Sequence, residues 1–154
     1  MKKPRLYIDT SVIGGCFEAV FAVDSLRVIQ YAEKGKVHLL VTDTVIDELE
    51  NAPTPVKELF RAIPRASLTI LPLTREIFTL RNAYLDAKIL TPASRNDALH
   101  VASATFSGAD AILSWNFKHI VQLGRMRAYN EVNSKMGYGF LSIITPREVT
   151  DETI

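Results

Sequence analysis

Acidic side chains recur in this chain just after short apolar runs: Asp9 in YIDTSV, Asp47, Glu48 and Glu50 in TVIDELE, and Asp97 in SRNDALHVASA. A fourth run ends in SWNFKHI, which delivers Ser114 and Asn116. Carboxylates drawn together repel unless they are protonated or neutralised by a cation. Oxygen donors with no nearby cysteine and no paired histidine favour Mg²⁺ or Mn²⁺ over zinc. Such a cation can acidify a bound water and act as a Lewis acid toward a substrate oxygen.

Each residue also has a simpler use. Asp9, Thr10 or Ser11 can cap the helix that follows, as these residue types commonly do. At about 100° per residue, Val45, Ile46 and Leu49 form the buried stripe of the next helix. Asp47 points away from that stripe, and Glu48 and Glu50 border it, so either of the last two could reach a cleft. This helix is expected to be capped by Asp43 or Thr44. Ser94 and Asp97 fit the S-x-x-D capping pattern, yet the helix they open is apolar all round, which brings its first turn close to the sheet edge. His100, on the same helix, is read as a packed or hydrogen-bonded histidine and is assigned no catalytic role. Asn116 can shape a turn or offer a side-chain oxygen to a cation, as a weaker ligand than a carboxylate.

The elements that must position these groups alternate, short apolar run then longer amphipathic run, which is the pattern of parallel strands covered by crossover helices. Strands are expected at 5–9, 37–41, 68–71, 111–114 and 140–144. Helices are expected at 24–34, 44–51, 55–62, 74–88 and 94–106, with one or two pieces between 117 and 136, and with Gly35 and Gly108 as stops. The fold class is α/β, a three-layer α/β/α sandwich on a mostly parallel five-stranded sheet. In such sheets ligands bind at the carboxyl ends of the strands, where Asp9 and Asn116 fall. Asp110 precedes its strand, at the opposite edge.

The chain has 154 residues, apolar types make up 47% of them, and the net charge is +1, so a single domain with a substantial core is expected and any nucleic-acid partner must be held locally. Arg95, Lys118 and Arg125 are candidates for that role, with Arg127, Lys135 and Tyr138 as looser ones. A lone cysteine, Cys16, suits a reducing compartment, and the cytoplasm is the expected location. Pro4, Asp9 and Glu18 interrupt the opening segment, which argues against a signal peptide, and no run reaches transmembrane length. Gly14-Gly15 does not supply the G-x-G-x-x-G pattern immediately opening a helix, which disfavours a dinucleotide site. A phosphoryl-receiving signalling domain would also cluster acids at strand ends, but no clear lysine closes the last strand.

The segments YIDTSV, TVIDELE, RNDALHVASA, GADAILSWNFKHI and FLSIITPREV together resemble the PIN-domain ribonucleases, particularly the small VapC-type toxins. The resemblance covers nearly the whole chain. It implies a Rossmann-like sheet, an acidic Mg²⁺ or Mn²⁺ site of Asp9, Glu48 and Asp97, and endonucleolytic cleavage of RNA that leaves a 5′-phosphate and a 3′-hydroxyl. The family's fourth acidic position falls at Asn116, which lowers the charge available for a second cation. Thr10 and Ser11 are expected near the metal or the substrate phosphate. The resemblance also implies a neutralising antitoxin partner. A homodimer is expected from apolar residues such as Phe17, Val20 and Phe21, which could equally belong to the core. The competing reading is a non-catalytic or weakly active RNA-binding module on the same fold.

Overall fold

The computed structural model describes residues 2–154. The apolar runs form five strands, β1 (Arg5–Ile8), β2 (His38–Thr42), β3 (Leu68–Leu71), β4 (Ala111–Leu113) and β5 (Ser142–Ile144). They pair in the order β3-β2-β1-β4-β5, every pair parallel. The chain therefore winds outward from β1 to one side, returns, and winds outward from β4 to the other. The junction between β1 and β4 is the point where the winding reverses, and it opens a crevice beyond the strands' carboxyl ends.

Seven helices cover the sheet: α1 (Thr10–Gly15), α2 (Ala22–Glu33), α3 (Asp43–Leu49), α4 (Thr54–Arg61), α5 (Arg75–Asp86), α6 (Arg95–Phe106) and α7 (Leu123–Lys135). Gly35 and Gly108 follow α2 and α6 with φ of 72° and 68°, the left-handed conformation that stops a helix at little steric cost. Strand alternation divides the core. Leu6, Ile8, Leu39, Val41 and Leu113 pack with buried residues of α1 to α4. Tyr7, Leu40 and Ile112 pack with those of α5 to α7 on the other face. From Ala98 to Thr105, α6 is buried on every side, as its composition predicts. No helix among the described residues is long and apolar enough to cross a membrane.

Two expectations need correction. A helix does open immediately after the first strand: Thr10 begins α1, a segment whose β-branched residues and paired glycines give little intrinsic helical preference. Burial of Val12 and Ile13 against the sheet holds it in place. Likewise α3 is preceded by Thr42, not capped by Asp43 or Thr44, and the Thr42 hydroxyl is engaged by Tyr7 instead of by the helix.

Gly15 ends α1 where it meets the loop after β4. A Cβ there would stand 2.8 Å from both Ser25 Oγ and Trp115 Nε1, two atoms already joined by a 2.8 Å hydrogen bond. At Gly14 a Cβ would meet nothing within 4 Å. We therefore expect Gly15→Ala to destabilise by about 1–3 kcal/mol through overpacking. Gly14→Ala should be neutral or stabilising by up to ~1 kcal/mol, because it removes backbone freedom from the unfolded chain. Urea denaturation of the two variants checks the contrast, and equal stabilities would contradict the close approach.

Candidate functional site

Asp9 follows β1 directly and its backbone N–H still donates to the Leu113 carbonyl at 3.3 Å, which fixes it at the junction with β4. It is only 4% exposed. Its two carboxylate oxygens accept hydroxyl hydrogens from Ser11 at 2.6 Å and Ser114 at 2.5 Å. Both serines are themselves tied to the loop after β4: the Trp115 amide donates to Ser11 Oγ and the Asn116 amide to Ser114 Oγ, each at 2.9 Å. Among the described residues no lysine or arginine forms an ion pair with Asp9. Burial raises the Asp9 carboxyl above its ordinary range, against the opposing pull of the His100 ring and the two hydroxyls.

Glu48 approaches from α3. The structure separates it from its acidic neighbours, since Asp47 and Glu50 are exposed while Glu48 is half-buried. Its Oε1 accepts from Thr10 Oγ1 at 2.6 Å and from His100 Nε2 at 2.8 Å. Burial alone would raise this carboxyl, but the His100 hydrogen bond and charge, with Thr10, together outweigh it and hold Glu48 below its ordinary range.

Asp97 lies in the first turn of α6. Ser94 precedes the helix without a side-chain capping bond, so the S-x-x-D pattern is not used as a cap. The Asp97 carboxylate instead accepts from His119 Nδ1 at 2.9 Å. The His119 amide in turn donates to Asn116 Oδ1 at 2.8 Å, and the Tyr129 hydroxyl donates to the His119 carbonyl at 2.9 Å. A chain of hydrogen bonds thus runs along the edge from Asp97 through His119, Asn116 and Ser114 to Asp9. Asn116 shapes its turn, as one of its two readings foresaw, and keeps a second lone pair on Oδ1.

Thr10 and Ser11 therefore act within the edge by bonding the two carboxylates. Arg95 and Lys118 are exposed, Arg95 at the start of α6 and Lys118 in the loop after Asn116. Arg125, in the first turn of α7, is half-buried, and its Nε has no hydrogen-bond partner. Arg127 is exposed farther along the same helix. Lys135 and Tyr138 belong elsewhere: Lys135 ends α7 and pairs with Glu131, and Tyr138 stacks edge-on against Phe106, at the strands' amino-terminal side. The two histidines were missed as partners of the acids. His100 reaches Glu48 across 52 positions and His119 reaches Asp97 across 22, and no local spacing signals such pairings.

The oxygen donors suit a hard cation, and a buried carboxylate held only by hydroxyls favours one. Among the described residues, however, no group of three or more His, Cys, Asp and Glu side chains stands close enough to form a cage. That arrangement fits Mg²⁺, which keeps several waters and uses one or two carboxylates together with substrate phosphate.

No protein-family model matches the chain, and no curated protein does either. Solved structures do. VapBC2 of Rickettsia felis, crystallised with a DNA fragment from its promoter, aligns with a TM-score of 0.57 at 13% identity over 90% of this chain and 96% of that one. FitAcB of Neisseria gonorrhoeae aligns with a TM-score of 0.58 at 12% identity over 94% and 99%. With the parallel sheet and its crossover helices, these likenesses give the chain a PIN-like fold of the VapC kind.

Proposed function

We propose that the protein is a divalent-metal-dependent endoribonuclease, acting as the toxin of a toxin–antitoxin pair. The observation that carries the reading is the buried Asp9 carboxylate at the winding reversal, bonded to hydroxyls and to no cationic side chain. The toxin and its antitoxin partner rest on fold likeness to the two toxin–antitoxin structures.

Asp9, Glu48 and Asp97 would share Mg²⁺ or Mn²⁺, one or two of them as direct ligands and the rest through its waters, with Asn116 beside them as a neutral oxygen donor. When bound, such an ion acidifies a water and stabilises the negative charge that grows on a phosphodiester under attack. Glu48, steadied by Thr10 and His100, is suited to orient the attacking water as a hydrogen-bond acceptor. Ser11 and Ser114 keep the Asp9 oxygens aimed along the strand edge. Arg95, Lys118 and Arg125 supply positive charge for the RNA backbone. In-line attack by water with departure of the ribose 3′ oxygen leaves a 5′-phosphate and a 3′-hydroxyl. A binding module without catalysis is the second reading, favoured by the neutral amide of Asn116 at the fourth position.

Incubating the protein with mixed RNA in EDTA, Mg²⁺ or Mn²⁺, and mapping the product ends, separates the two readings. Cleavage in metal alone is expected, and RNA binding without cleavage would favour the module. Asp9→Asn should reduce cleavage to the EDTA background. Because burial raises the folded-state pKa of Asp9, this residue favours folding below its ordinary value of 3.8 and loses that contribution as pH rises through the folded value. Without metal at pH 7, Asp9→Asn should accordingly melt at or above the wild-type temperature, and the gap should narrow toward pH 4. A variant that melts lower at pH 7 would contradict this burial argument. Lys118→Ala should weaken RNA binding across sequences and lower the slope of log affinity against log salt by about 0.7, the value for one single-strand phosphate contact. An unchanged slope removes Lys118 from the interface.

A further inference from the structure

We propose that His100 is a positioning residue that fixes the Glu48 carboxylate and is itself fixed by a hydroxyl relay from β1 and β2. The inference rests on the reading of the Asp9–Glu48 edge as a cation site. His100 is 2% exposed, one turn beyond Asp97 in the buried stretch of α6 from Ala98 to Thr105. Both ring nitrogens are engaged. Nε2 lies 2.8 Å from Glu48 Oε1, and Nδ1 lies 2.8 Å from the Tyr7 hydroxyl. That hydroxyl is 3.0 Å from Thr42 Oγ1. The ring donates from Nε2 to Glu48, while its Nδ1 is hydrogen-bonded to the Tyr7 hydroxyl, which is in turn hydrogen-bonded to Thr42.

The relay matters because Glu48 comes from a short helix and its side chain is 32% exposed, so α3 alone does not fix its rotamer. Two donors, His100 and Thr10, converge on Oε1. Both hydrogen bonds fall on the same oxygen, and Oε2 accepts none from the described residues. Partners that orient a ligating side chain in this way commonly alter metal affinity by about 10–100-fold when removed. A histidine kept only for packing would affect stability and leave the cation untouched.

Calorimetric or electron-paramagnetic titration with Mn²⁺ alone, well below the melting temperature of every protein used, tests the assignment. His100→Leu removes the donor at similar volume and should weaken Mn²⁺ binding about 10–100-fold. His100→Gln keeps an N–H toward Glu48 and should recover affinity to within about threefold of wild type, well inside that loss. Wild-type affinity in His100→Leu overturns the proposal. Equal loss in both variants assigns the effect to packing and overturns it too. If His100→Leu does not fold, Tyr7→Phe, which keeps the ring and removes the relay hydroxyl, carries the test: weaker Mn²⁺ binding supports the relay and unchanged binding overturns it. A wild-type protein that binds no Mn²⁺ removes the cation site itself, and the inference with it, so the wild-type titration separates failure of the site from failure of His100.

Discussion

The arrangement depends on keeping a carboxylate inside the molecule without a positively charged partner. Removing an ionised carboxyl from water costs several kcal/mol unless hydrogen bonds and nearby charge compensate. At Asp9 the compensation comes from Ser11 and Ser114, and each serine also accepts a backbone amide from the loop after β4. One acidic residue thereby ties together the first strand, the helix after it and the fourth strand's exit. The close seat of Gly15 against Trp115 and Ser25 belongs to the same constraint, since it keeps α1 near enough for Ser11 to bridge.

The three acids are joined by a polar network along one edge of the sheet, and each has its own protein partners. Glu48 is held by Thr10 and His100, and Asp97 by His119. Such an edge differs from a closed cage in what it asks of an incoming ion. For an ion bound as proposed, most of the coordination would stay with water or with the substrate, so binding of the ion and binding of an anionic ligand would reinforce each other. The two histidines give the edge its spacing, because each spans the gap between a carboxylate and a neighbouring element.

Much of this was legible in the residues. Continuous apolar runs marked all five strands, and the apolar and small residues of ALHVASAT marked the stretch of α6 that is buried on all sides. Helical geometry separated the solvated Asp47 from its two neighbours but left Glu48 and Glu50 equivalent, and only the packing of α3 distinguishes them. Short-range propensity failed at α1, where TSVIGG is a poor helix former and burial of Val12 and Ile13 decides the outcome. It failed again at Thr42, whose hydroxyl serves Tyr7 on the neighbouring strand. The roles of His100 and His119 are contacts between distant segments, and a single sequence carries no mark of them.

The order in which the chain is made gives the β1–β4 junction a further consequence. Ser114, the partner of Asp9 just beyond β4, lies 105 positions downstream of it. In a parallel sheet wound outward from its centre, closing that junction requires bringing together segments that are distant along the chain. A nascent or truncated chain that stops short of β4 cannot assemble the edge, however well its first two strands and their helices have folded. The edge therefore becomes competent only once β4 has joined the sheet beside β1.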